Sequence, residues 1–284
     1  MQETKTQEIK EETLTSVEEQ DEQEENKKEE FSELKELAKL LNLSIERVKD
    51  ECCTLQISNL LSMLKKVIVR YSLSEQETER ILYNCFNLGS KEVLVSPAYL
   101  PSVKRQAEKL GLTDLKISVI VDFPFGESAF KSKLTDIKDA LKIGVSGVTV
   151  MLPAMLLTRE KVREYKRQLK IVGRANKIET SVAFAVNDLN EDAIRLAVKF
   201  FEKSKVKALT LVFGEASESQ VKHKMSAVNG FKGNKKVYVL GNVETPEAVM
   251  ELKKLNVDGI YTPYTERIGE NLIKRFNVKS VNLR

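Results

Sequence analysis

The sequence predicts an α/β fold, a closed (β/α)8 TIM barrel, on three observations. From residue 65 onward, short β-branched runs alternate with amphipathic segments of 10 to 18 residues. There are eight such pairs, the number that closes a parallel barrel. The chain has 284 residues, and such barrels take about 250 as a single domain. No run is followed by a Gly-x-Gly-x-x-Gly turn, which argues against a doubly wound open sheet.

In chain order, the first element expected is an acidic tail at 1–30. It carries twelve acids against four lysines, a balance of −8, and few large apolar side chains. Such a segment cannot bury enough surface to offset the entropy of ordering, so disorder is expected. The remainder carries 42 basic and 30 acidic residues, or +12. A helical extension is expected at 31–63, where Ile45, Val48, Cys52 and Leu55 fall on one face. The run from Glu36 to Val48 has the rhythm of a helix-turn-helix. However, Asp50 and Glu51 follow where phosphates would lie, and a helical cap on the barrel is the simpler reading.

The barrel is expected over 64–284. Its strand candidates are Lys65–Arg70, Glu92–Pro97, Lys116–Pro124, Gly147–Leu152, Ile178–Val186, Lys207–Gly214, Lys236–Val243 and Gly259–Tyr264. Ser74-Glu-Gln-Glu has capping-box form, and Thr245-Pro246 reads as an N-cap followed by proline in the first turn. Gly89, Gly111 and Gly144 close helices ahead of the next strand.

No window approaches the roughly 18 apolar residues of a membrane span. The acidic N-terminus resembles neither a secretory signal nor a transit peptide. Cys52, Cys53 and Cys85 lack metal-ligand spacing, and His223 is the one histidine. Sparse, unpaired cysteines read as reduced thiols and a cytoplasmic location. No cofactor and no metal are expected.

Four stretches resemble deoxyribose-phosphate aldolase, in order and at suitable spacing. They are Val93-Leu-Val-Ser-Pro-Ala-Tyr-Leu-Pro101, Val119-Ile-Val-Asp-Phe-Pro-Phe-Gly126, Gly144-Val-Ser-Gly-Val-Thr-Val-Met151 and Val237-Tyr-Val-Leu-Gly-Asn-Val-Glu-Thr245. The resemblance covers roughly 64–275. It implies a class I aldolase, in which a neutral lysine forms an imine with the substrate and a second cation lowers that lysine's pKa. Aligned on Gly214, the imine lysine falls on Thr210. Aligned on Gly241 and Thr245, the second lysine falls on Tyr238. The family's strand-four aspartate falls on Thr149. Hydroxyls cannot form an imine, so no catalytic set is intact.

Lys116, Lys177, Lys207, Lys235 and Lys236 stand at strand starts, opposite the face where barrel chemistry occurs, and are expected to be solvated. The family's phosphate cradle is also altered. Gly214 and Gly241 are kept, but its second strand-seven glycine becomes Asn242, and its strand-eight serines fall on Pro263 and Tyr264. Gly214, Gly241, Asn242 and Thr262 remain as ligand-binding candidates. Asp122, Glu127, Asp188, Glu215 and Glu244, with Arg70, predict an acidic mouth that repels a phosphorylated sugar. Scattered loop carboxylates of this kind are solvated surface more often than a metal site. The charged run Arg159–Lys170 follows helix spacing, and its one aromatic residue, Tyr165, is too little interleaving to favour nucleic acid.

The expectation is a catalytically silent aldolase-like barrel with a binding, regulatory or scaffolding role and an unidentified protein partner. The resemblance implies a homodimer. The rival readings are an active lyase with displaced catalytic residues, or a module that binds nucleic acid or another polyanion.

Overall fold

Residues 55–69, 73–158, 160–174, 178–187, 189–214, 218–229 and 235–275 are described by the computed structural model. The expected tail at 1–30 and nearly all of the extension at 31–63 lie outside them, as do the helix-turn-helix rhythm, Cys52 and Cys53. Two compact units divide the chain, Met1–Gln56 and Ile57–Arg284. The helical residues 57–63 fall in the second unit, where Ile57, Leu60, Leu61 and Met63 join the main core.

Eight strands follow: β1 (Leu64–Ile68), β2 (Glu92–Val95), β3 (Lys116–Val121), β4 (Gly147–Met151), β5 (Glu179–Ala185), β6 (Ala208–Val212), β7 (Lys236–Leu240) and β8 (Gly259–Thr262). Each pairs in parallel with the next and β8 returns to β1, closing the barrel. All eight lie within the expected runs or one residue beyond them. Trimming at the C-terminal ends reflects loops that leave the sheet where the mouth begins.

A helix follows each strand: α1 (Glu75–Asn87), α2 (Leu100–Lys109), α3 (Phe130–Ile143), α4 (Val162–Val172), α5 (Glu191–Glu202), α6 (Glu218–Asn229), α7 (Pro246–Lys254) and α8 (Thr265–Arg275). A short 3-10 turn, Ala154–Leu157, precedes α4. Three of the helix starts are set by side chains that satisfy otherwise orphaned amides. Ser74 accepts from the Glu77 amide at 3.2 Å while the Glu77 carboxylate accepts from the Ser74 amide at 2.9 Å. Thr245 caps α7 through the Ala248 amide, and Asn190 caps α5 through the Ala193 amide. At the other end of α3, Gly144 adopts φ 84°, a left-handed turn that a side chain would disfavour.

Strand residues are buried on both faces, which explains the nearly continuous apolar runs. Outward positions such as Val119, Val150, Val182, Leu209 and Val239 join the helices in the larger core. Inward positions form a second cluster that includes Val67, Leu94, Ile120, Met151, Val212, Tyr238, Leu240 and Tyr261. Each fully buried aliphatic side chain contributes roughly 1.5–3 kcal/mol, so this double layer is the scaffold on which any site stands.

Candidate functional site

At the C-terminal end the barrel opens into a cavity of about 300 Å³. Its wall is apolar, with Val67, Phe123, Phe125, Val212, Leu240 and Pro263, and the polar side chains on it are Asn187 and Asn242. No carboxylate lines this cavity among the described residues; of the acids expected at the mouth, Glu127 is exposed and Glu244 borders an adjoining outer cavity. Asp122 adopts φ 63° and accepts from the Ser128 amide at 2.9 Å and the Ser128 hydroxyl at 2.6 Å. It also pairs with Lys133 at 3.0 Å. Burial alone would raise its pKa, but the Ser128 and Lys133 bonds outweigh that and hold it below the ordinary value. Glu244 pairs with Arg267 at 3.2 Å. Arg70, Asp188 and Glu215 lie outside the described residues.

Three of the four ligand-binding candidates reach this cavity. Gly214, Gly241 and Asn242 line it, and they also border an outer cavity of about 310 Å³ against Val239, Thr245 and Leu252. Gly241 has a packing reason to be glycine, since a Cβ there would meet the Phe213 carbonyl oxygen at 2.6 Å. Thr262 is not on the wall. It is fully buried; its hydroxyl donates to the Val243 carbonyl at 2.7 Å and accepts from the Tyr264 amide at 3.2 Å. Its odd-even place on β8 turns it away from the barrel axis, where Tyr261 points.

Below the mouth, the structure gathers the three positions matched to aldolase catalysis. Thr149 pairs with Ser181 across β4 and β5, and Thr210 pairs with Tyr238 across β6 and β7. All three matched positions are buried. The Thr210 and Ser181 hydroxyls are 2.7 Å apart, so Thr210 is spent on a neighbour in the barrel wall.

The lower interior is ionic. Tyr238 donates to Glu179 at 2.5 Å, and Tyr261 donates to Glu92 at 2.9 Å. Ser118 donates to Glu92 at 3.0 Å, and Lys65 forms an ion pair with the same carboxylate. The Lys65 ammonium lies 4.5 Å from the Tyr238 ring centroid and 5.3 Å from that of Tyr261, while the two rings meet edge to face at 5.5 Å. Both contacts suit a cation over aromatic faces. Burial raises both phenol pKa values, reinforced by Glu179 at Tyr238 and by Glu92 at Tyr261, so both hydroxyls stay protonated donors. Burial pulls Glu179 upward, but the Tyr238 bond and the Lys236 and Lys65 charges outweigh it, leaving its pKa lowered.

At the strand starts, Lys116, Lys207 and Lys236 are exposed. Lys235 is tied to the Phe201 and Ser204 carbonyls at 2.7 and 2.6 Å, and Lys177 lies outside the described residues. Three consequential lysines were not singled out from sequence. Lys65 enters the interior, whereas Lys66 turns outward to the Pro263 carbonyl at 2.7 Å and to Glu266 at 2.5 Å. Lys133, 1% exposed, clamps the Gly126 and Met151 carbonyls at 2.5 and 2.8 Å. Burial draws its pKa down against the pull of Asp122. Strand parity was the available signal for Lys65, because it alternates in register with the inward Val67.

His223 is exposed and lies 3.2 Å from Glu191. Among the described residues, no group of three or more His, Cys, Asp or Glu is placed to hold a metal ion, and no helix is long and apolar enough to cross a membrane.

A closed parallel barrel with a cavity at the carboxyl ends of its strands defines a (β/α)8 protein of enzyme-like build. No protein-family model matches the chain. The chain is 22% identical over 221 residues to the deoxyribose-phosphate aldolase of Mycoplasmoides gallisepticum, covering 77% of this chain and 97% of that one. It is 25% identical over 191 residues to the corresponding enzyme of Mycoplasmoides pirum, covering 61% and 85%. Among solved structures, the aldolase QR15 superposes with TM-score 0.68 at 20% identity, over 78% of this chain and 99% of that one. The Aeropyrum pernix deoxyribose-phosphate aldolase, described as a unique tetramer, gives 0.66 at 16% identity, over 78% and 96%. The chain is thus similar, at 22–25% identity, to curated deoxyribose-phosphate aldolases, and it shares their barrel fold.

Proposed function

We propose that this chain is an aldolase-like barrel that performs no imine chemistry and serves as a binding, regulatory or scaffolding protein. The observation that carries the reading is the hydrogen-bonded state of the matched positions. Thr210 is bonded to Ser181 and Tyr238 to Glu179, both buried, where the family resemblance calls for amines. The inward-facing Lys65 offers no substitute in place, because its amine is tied to Glu92 and lies against the Tyr238 and Tyr261 rings, low in the barrel and away from the mouth. The apolar mouth supports the same reading, since Val67, Phe123 and Leu240 give a phosphorylated sugar no charge to meet. The mouth instead suits an uncharged ligand or an apolar side chain of a partner.

The test is borohydride reduction in the presence of deoxyribose 5-phosphate, read by intact mass. The expected result is an unchanged mass. A stable adduct overturns the reading, and an adduct mapped to Lys65 would establish a lyase with a displaced nucleophile.

A further inference from the structure

The opposite end of the barrel holds a second, polar cavity of about 440 Å³, lined among others by Glu92, Lys116, Ser146, Glu179, Lys207 and Lys236. Its charges can be paired off one by one. Glu92 is matched by Lys65, and Glu179 by Lys236 at 3.4 Å. Lys207 spends one donor on the Ile178 carbonyl at 2.9 Å, a neutral group that leaves its charge uncompensated. Lys116, at the start of β3, is exposed and makes no ion pair within 4 Å among the described residues, its strand neighbour Glu92 being taken by Lys65. Two positive charges therefore remain, on β3 and just ahead of β6, facing one cavity.

We propose that this cavity is a site for a small doubly charged oxyanion of the phosphate type, bound between Lys116 and Lys207. This goes beyond the function assigned to the mouth and does not depend on it. A tetrahedral oxyanion presents acceptors in several directions, so it can meet ammonium groups from separated strands together. Lysine serves such ligands as a point charge with three donors. The Ser146 hydroxyl, on the same wall, is a further donor within the lining. The two carboxylates of the lining are already engaged, Glu92 by Tyr261 and Lys65 and Glu179 by Tyr238 and Lys236, which leaves Lys116 and Lys207 for an external anion. The cavity's size exceeds one phosphate, leaving room for a small organic group attached to it.

The experiment is calorimetric titration of the full chain with inorganic phosphate in a low-salt buffer, repeated with sulfate and with chloride at matched ionic strength. Saturable one-to-one binding of phosphate is expected, with competition by sulfate and none by chloride. The double variant Lys116→Ala/Lys207→Ala should bind about tenfold more weakly, in line with two charge-assisted contacts. The variant Lys131→Ala/Lys138→Ala, which removes two exposed lysines of α3, should bind as the parent does. Absence of saturable binding, equal loss in both double variants, or chloride competing as well as sulfate overturns the proposal.

Discussion

The two halves of the barrel interior differ in kind. The upper half is apolar, and its polar groups close on one another or on the backbone, as Thr210 does on Ser181 and Thr262 on Val243. The lower half is a connected set of charges and phenols around Lys65, Glu92, Glu179, Tyr238 and Tyr261. In barrel enzymes the upper end carries chemistry and the lower end stability. Here, among the described residues, the inward-facing ionisable groups gather at the stabilising end, while the upper cavity's lining carries none. Tyr238 shows how: a position matched to a catalytic lysine now points its hydroxyl downward to Glu179, serving the floor and not the mouth.

That contrast can be broken most directly at Glu92. Glu92→Ala removes the partner of Lys65, Ser118 and Tyr261 together and leaves the part-buried Lys65 ammonium with only the Glu179 charge nearby, which should cost about 3 kcal/mol in urea unfolding. A loss under 1 kcal/mol would mean that water reaches the network and that the floor is not sealed. Thr210→Lys, in the apolar half, should cost about 2 kcal/mol by overpacking a fully buried site. It should also give no aldolase activity, since neither a second cation nor the strand-four acid accompanies it. Detectable turnover in a coupled acetaldehyde assay would show the mouth still competent.

The phenols give the contrast a pH signature. The pKa values of Tyr165, Tyr238 and Tyr261 are raised in the folded state, chiefly by burial. The folded protein therefore keeps protons that the unfolded chain releases above about pH 10. Stability from this source is complete below that pH and is lost as the pH climbs toward the folded values. Tyr238→Phe should flatten the alkaline decline measured by denaturant midpoint, and an unchanged slope would show that this phenol is not sealed from water. Glu179 acts with the opposite sign: its lowered pKa gives stability present above about pH 4.3 and lost on acidification below it. The smallest effect is expected at Asn242→Ala in the mouth, within about 0.5 kcal/mol. A cost matching that of Glu92→Ala would erase the distinction between the halves.

The barrel was legible because its signal is repetitive. Each strand is a β-branched run followed by an amphipathic helix, some with a legible cap as at Ser74 and Thr245, and eight repetitions leave few topologies. The buried placement of Thr149, Thr210 and Tyr238 was legible for a related reason, since strand spacing fixes parity and parity fixes which side chains face inward. The ionic floor was harder to see. Glu92 and Glu179 stand at the first residues of β2 and β5, where a charge ordinarily reads as a solvated strand start. Only the lateral register brings them under Tyr261 and Tyr238, and that register belongs to the closed barrel and not to any one segment. The turn of Asp122 was hidden for a converse reason. Counting loop carboxylates says nothing of where they turn, and Asp122 turns back to Ser128 and Lys133 because its backbone is left-handed.

Gly126 sets a limit on how this mouth can change. At φ 72° its missing side chain would meet Met151 and Leu152 backbone atoms at 2.8 and 2.9 Å, while Lys133 ties its carbonyl to that of Met151. The loop after β3 is thus laid directly on the end of β4. Any larger residue at 126 would lift the loop and carry Phe123 and Phe125 with it. Sequence drift that reshapes the cavity's occupant must therefore act through side-chain exchange at 123 and 125, or from the opposite wall at Asn187 and Asn242. The β3–β4 side is the fixed jaw of the mouth, and selectivity among related chains should be written on the other.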